Sequence, residues 1–241
     1  MLYCRCSRGQ SFYLAVVALS RRLRWKLAQG LEWRWWNRYL AGKSPEDYLL
    51  NKRAYWKRTL AELEWEVAEG ATALDAGCGP AGIYLLLHAT QTITAIDPLL
   101  DRYRRLAVFR PETYPEVRFL RRTMEELEPL NSFRQIYCFN AINHVRDWER
   151  ALDALAAVAS PGTEMILTSD VHRHAWLLPV FRLLPGDVLH PQQHGPDAYR
   201  RALTARGWRI DRERLLRREA IFEYRAWVCT FTPAGTVRQG R

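Results

Sequence analysis

The segment ALDAGCGPAGIYLLL, residues 73 to 87, constrains the fold more than any other stretch of the chain. Glycine loses more conformational freedom on folding than any other residue. Gly77, Gly79 and Gly82 between two apolar runs therefore mark a backbone that must bend sharply or come close to something. The run before them reads as a strand with Asp75 at its end, and the run after them as a helix. A strand, glycine turn and helix at the carboxyl edge of a parallel sheet is where open α/β folds bind nucleotide-like ligands. Amides exposed at such a helix start can hold an anion.

The same alternation continues to about residue 232. TITAID, VRFLRRT, RQIYCFNAI and EMILTSD read as strands, with helices over GIYLLLHAT, LLDRYRRLAVF and WERALDALAAVA, the last stopped by Ser160, Pro161 and Gly162. A helix follows over 197–206, then WRIDRERLLRR and YRAWVCTFTP as a closing antiparallel pair. Strand–helix alternation predicts an α/β fold whose mostly parallel, seven-stranded sheet is covered by helices on its faces. The second strand, like the first, ends in an acid, and Asp97 stands where a carboxylate can hold ribose hydroxyls.

Two ligand classes suit this pattern, a dinucleotide and S-adenosylmethionine. The order here is D-x-G-x-G-P-A-G, and Asp75 would repel a pyrophosphate but suits a cationic amino group. The segment resembles motif I of the class I S-adenosylmethionine-dependent methyltransferases. AIDPLL is similar to the family's second motif, RRTMEEL to its third, and IYCFNAINHVRDW to its fourth strand and following loop. The resemblance covers about residues 70 to 232 and implies a Rossmann-like sheet, S-adenosyl-L-methionine as cofactor and S-adenosyl-L-homocysteine as product. It implies cofactor contacts from Asp75, Gly77, Cys78, Gly79, Asp97, Pro98 and Asn140, with Thr123, Met124 and Glu125 near the adenine. The usual third glycine falls at Ala81, with Gly82 after it; alanine is still small, so cofactor binding is expected to survive.

Methyl transfer needs an aligned nucleophile, exclusion of water and, for a hydroxyl or carbon acid, removal of a proton. His144, after the fourth strand, is the candidate base, because histidine titrates near neutrality. A variable insertion over about 170–196 is expected to cover the acceptor, with Asp170, His172 and His190 as candidate contacts. His172, His174, His190 and His194 have spacing that zinc could use, but neither cysteine nor a carboxylate pair accompanies them and no metal is expected.

Residues 1–68 form a separate region in this reading, ahead of a methyltransferase domain over 69–241. Residues 1–60 hold 13 Lys/Arg, including all four lysines, against Glu32, Glu46 and Asp47, a net +10 equal to that of the whole chain. Helices are predicted over 11–41 and from Pro45, with Ser44 as N-cap. The resemblance implies that they fold back as a lid, where Trp36, Tyr39 and Tyr55 can wall a flat or greasy acceptor. The expected activity is methyl transfer to oxygen or carbon of a small lipophilic or aromatic acceptor. The alternative is an RNA methyltransferase whose basic front holds phosphates; Asn140 is followed by AINH rather than the N-P-P-Y of base-directed enzymes, so nucleic acid is not the expected partner. A basic, tryptophan-rich helix also suits peripheral contact with an anionic membrane. No apolar run reaches the roughly 18 residues that span a bilayer. Cys4, Cys6, Cys78, Cys138 and Cys229 are scattered and odd in number, which reads as reduced thiols in a cytoplasmic protein, with the inner membrane face as its place of contact.

Overall fold

A computed structural model describes residues 8–129, 132–173, 192 and 194–233. Two helices, α1 (Arg8–Leu40) and α2 (Pro45–Glu62), precede the sheet. Ser44 caps α2, its hydroxyl accepting from the Asp47 amide at 3.2 Å, and Pro45 occupies the first turn, where its missing N–H costs nothing. The strands are β1 (Thr72–Ala76), β2 (Thr92–Ile96), β3 (Arg118–Leu120), β4 (Phe133–Phe139), β5 (Ala159–His172), β6 (Trp208–Arg218) and β7 (Phe222–Phe231). Between them lie α3 (Tyr84–Leu87), α4 (Leu100–Tyr103), α5 (Trp148–Ala157) and α6 (Pro196–Ala205).

The sheet order is β3-β2-β1-β4-β5-β7-β6, with β7 antiparallel to both of its neighbours and the other pairs parallel. This is the Rossmann-like sheet that the sequence implied. The order reverses between β1 and β4, which opens a crevice at the carboxyl ends of β1 and β2. Side chains alternate across the strands. Tyr137 and Phe139 of β4 join one core with α2, α3 and α4, while Ile136 and Cys138 join the other with α5 and α6. Cys78, Cys138 and Cys229 are buried free thiols.

Two helices are shorter than the periodicity suggests. The LLDRYRRLAVF stretch is helical only over Leu100–Tyr103 and then turns through i+3 bonds such as Leu106 N–H to the Tyr103 carbonyl at 2.8 Å. Leu106, Val108 and Phe109 are all buried, a spacing that no single helix face can supply. GIYLLLHAT likewise keeps one α-helical turn, preceded by a tight turn at Gly79–Ala81. Pro161 and Gly162 lie within the start of β5, exposed, rather than before it.

The front helices are built into the core of the sheet domain. The Trp56 indole donates to the Ala81 carbonyl at 3.1 Å and packs against Phe139 with ring centroids 4.7 Å apart. Further along, the Trp65 indole donates to the Tyr137 hydroxyl at 3.2 Å, inside a buried network with Gln91 and Gln135. Trp56→Ala is expected to cost about 3–5 kcal/mol in urea denaturation, as for other large core deletions. Trp56→Phe, which removes the N–H and keeps a ring, should cost nearer about 1 kcal/mol.

Candidate active site

The glycine turn is shaped by two buried carboxylates. The Asp75 Oδ2 accepts from the Tyr84 amide at 3.2 Å. Asp97 accepts from the Gly79 amide at 3.1 Å and from the Leu99 amide at 2.7 Å. The amides of Gly77 and Cys78 go to the Ile96 carbonyl, at 2.9 and 3.0 Å. The amides of Gly77, Cys78, Gly79 and Tyr84 are thus taken by protein oxygens. Gly77 has φ +76°, and a Cβ there would collide with the Cβ of Ala141. Gly82 has ordinary φ, but its Cβ would meet Asp75 Oδ2 and the Cys78 carbonyl. Gly82 thus supplies closeness of packing, which Ala81, itself buried, does not have to supply. Gly79 faces open space, the nearest atom to its would-be Cβ being Trp36 Cζ2 at 3.9 Å.

That space belongs to a cavity of about 1040 Å³, floored by the carboxyl ends of β1, β2 and β4 and roofed by α1 and α2. It is lined by all ten residues named above as cofactor contacts, by Trp36, Tyr39 and Tyr55 from the roof, and by His144 and Asp170 from the far side. Its size stands at the top of the usual range for one drug-sized ligand and leaves room for two. His172 is not among the lining residues. It is buried against Phe222, centroids 4.6 Å apart, so the expectation that it meets an acceptor is corrected. Its position near the end of β5, beside β7, places the side chain in the sheet's own packing. His190, His174 and most of the 170–196 insertion lie outside the described residues. The return of that segment rests on the loop after β4, where Gln192 Nε2 donates to the Arg146 carbonyl at 2.9 Å.

Several side chains hold that loop. Asn140 adopts φ +48°, a region that non-glycine residues seldom enter. It is fixed there by its amide on Thr168 Oγ1 at 2.9 Å and its Oδ1 on the Asp170 amide at 3.2 Å. Glu125 Oε1 accepts from the amides of Arg146 and Asp147 at 2.9 and 3.0 Å, whereas its buried Oε2 has no hydrogen-bond partner. Thr123 starts the adjoining tight turn, its amide donating to Glu126 Oε2 at 3.0 Å. The Trp25 indole crosses from α1 to the His144 carbonyl at 3.2 Å and closes the roof onto this loop.

Among the lining residues not singled out in the sequence, Lys52 is the one with a charge beside the turn. Lys52 on α2 projects its ammonium over the rings of Trp56 and Tyr55, 4.4 and 4.5 Å from their centroids. Burial pushes its pKa down to about 8, with Asp75 opposing. Burial also pushes Asp75 up to about 7, against the pull of the Tyr84 amide. Asp97 is raised as well, first by burial and then by Glu32 of α1, which also accepts from the Tyr103 hydroxyl at 3.4 Å. Lys52 stands four residues before Trp56, and the confinement of all lysines to the front segment was the one signal available for it.

The cavity fits a ligand that carries a cation, an anion and a polyol. Asp75 and Lys52 offer opposite charges beside the turn, Asp97 offers a carboxylate at the end of β2, and Glu125 Oε2 is a buried acceptor in want of a donor. The methyltransferase domain family matches residues 48–213, more than half of the chain. A ubiquinone biosynthesis O-methyltransferase of Rickettsia akari is 27% identical over 154 residues, 60% of this chain and 58% of that protein. The chain thus spans under two thirds of the length of the curated relatives it matches. Among solved structures, magnesium protoporphyrin IX methyltransferase from Synechocystis PCC 6803, with bound S-adenosylhomocysteine, superposes with a TM-score of 0.57 at 16% identity, over 85% of this chain and 94% of that one. The 1,6-didemethyltoxoflavin-N1-methyltransferase of Burkholderia thailandensis gives 0.53 at 15%, over 97% and 94%. With its glycine turn, paired strand-end acids and this family match, the chain belongs to the S-adenosylmethionine-dependent methyltransferases.

Proposed function

We propose that the protein methylates an oxygen of a small aromatic or lipophilic acceptor held under the α1–α2 roof. The cavity carries this reading: it joins the cofactor's charged cradle to a wall of Trp35, Trp36, Tyr39 and Tyr55. Kinship with O-methyltransferases of ubiquinone biosynthesis favours oxygen over carbon. A single base of RNA is a poorer match, since the roof helices close over the cavity and the Trp25 indole pins them to the loop after β4.

When bound, the cofactor supplies a sulfonium methyl group that is already electrophilic. Asp75 pairs with the amino group of its methionine part and Lys52 with the carboxylate, a zwitterion matched by a carboxylate and an ammonium. Asp97 holds the ribose hydroxyls, and Glu125 Oε2 accepts from the adenine amine. His144 would take the proton of the acceptor hydroxyl and so leave its oxygen as the nucleophile. The aromatic roof excludes water, which strengthens each of these charge interactions.

Calorimetric titration with S-adenosylhomocysteine tests the cradle. Binding is expected in the wild type and absent in Asp97→Ala, and Lys52→Met should weaken it about tenfold, the worth of one charge-assisted hydrogen bond. With a panel of phenols and quinols, His144→Ala should lower kcat about 100-fold while leaving S-adenosylhomocysteine affinity unchanged. Retained binding in Asp97→Ala would refute the assignment of the cradle.

A pH dependence follows from the raised carboxyls. Asp75 and Asp97 hold protons more tightly when folded than when unfolded, so the folded chain binds the extra protons between the usual carboxylate range and about pH 7. Stability of the ligand-free protein should fall as pH rises through that window. Affinity for the cationic cofactor should rise over the same window, as Asp75 ionises. Thermal melts and titrations at about pH 5 and about pH 8 read both trends, and Asp75→Asn should flatten the first.

A further inference from the structure

The outer face of α1 combines exposed leucines with cations. At about 100° per residue, Lys26, Leu23, Arg34, Leu27 and Arg38 fall within one sector of about 120°. All five are exposed, Leu23 by 59% and Leu27 by 56%. The sector holds no acid. The single acid of α1, Glu32, lies on the opposite side, where it meets the Tyr103 hydroxyl. Two bare leucines among three cations, on a front segment that carries the chain's whole net charge of +10, match a surface that is negative outside and apolar just beneath.

The same helix borders the cavity. Trp35 and Tyr39 stack with centroids 4.7 Å apart, line the cavity and are still 46% and 42% exposed. Lys43 lies 3.2 Å over the Tyr39 ring and lines the cavity too. The mouth is therefore aromatic, cationic and on the helix that bears the leucines. Among the described residues, no helix is long and apolar enough to cross a membrane.

We propose that the face of α1 formed by Leu23, Lys26, Leu27, Arg34 and Arg38 docks on an anionic phospholipid membrane, with Trp35, on the flank of that face at the cavity mouth, as the entry for a lipophilic acceptor. The cations are held by lipid phosphates and the leucines enter the acyl boundary. This deepens the acceptor reading above and rests on it for the entry route, whereas docking itself is measured without turnover.

The test is co-sedimentation of the full chain with vesicles of phosphatidylcholine alone or with phosphatidylglycerol added, at low and high salt. The chain should pellet with the anionic vesicles and be released by salt, as screening of exposed charges demands. Arg34→Glu with Arg38→Glu should lower partitioning about tenfold or more, and Leu23→Gln with Leu27→Gln should lower it too. Both double variants should keep wild-type S-adenosylhomocysteine affinity, which shows that they fold. Equal pelleting with neutral vesicles, no pelleting, or pelleting untouched by either variant would overturn the proposal. So would a charge reversal that abolishes binding to a single-stranded RNA while vesicle binding stays intact, because the face would then serve nucleic acid. Failure in the vesicle assay with cofactor binding intact would remove the docking surface and leave the methyltransferase reading standing.

Discussion

Two carboxylates kept out of water hold this site together. Asp75 and Asp97 sit at the carboxyl ends of adjacent parallel strands, and between them they take the amides of Tyr84, Gly79 and Leu99. Each hydrogen bond fixes the backbone just after a strand, so the shape of the glycine turn depends on acids that burial tends to protonate. The arrangement is costly without a ligand, and the cost is part of its use. Once ionised, a carboxylate in so dry a floor binds a cation more strongly than a solvated one would.

The roof depends on that floor in turn. Trp56 reaches the Ala81 carbonyl only because the turn presents it, and the packing of Trp56 on Phe139 places α2 above β4. Lys52, one helical turn earlier, is thereby brought over the same rings and into range of Asp75. The Trp25 indole fastens α1 to the loop after β4, and Glu125 fastens the same loop from below through the Arg146 and Asp147 amides. The strand-end acids, the aromatic roof and the candidate base are thus linked through short contacts to the backbone. A change at Gly82, which has no room for a methyl group beside Asp75, would be felt at each of them.

Much of this was legible in the chain before any coordinates. The spacing of D-x-G-x-G and the acid ending TITAID locate the crevice, because strand ends and glycine turns are local features written in a few residues. The seven strands and their order of appearance were legible for the same reason. The use of the loop amides was not: whether an N–H meets a ligand or Ile96 depends on how β2 lies beside β1, a tertiary matter. Lys52 was hidden because a lysine on a basic helix reads as a solvated charge until the helix is docked. His172 looked available because nothing local announces that β7 will set Phe222 against it. The length of α4 was overread, since Leu106, Val108 and Phe109 are apolar for burial in a turn and not for a helical stripe.

The distribution of charge gives the molecule a direction. Inside the cavity the acids Asp75, Asp97 and Glu125 line the floor. Outside, Lys26, Arg34 and Arg38 stand on the face of α1 turned from Glu32, while residues 61–241 balance 23 basic against 23 acidic side chains. The buried acids of the floor and the three exposed cations of α1 lie on opposite sides of that helix, with Glu32 on the inner side, while Lys43 and Lys52 are cations that line the cavity itself. A single positive field over the whole protein would repel the cofactor from its own site. Placing Lys26, Arg34 and Arg38 on the outer face of α1, with a layer of aromatic rings between them and the floor, weakens their repulsion of a cation in the cavity.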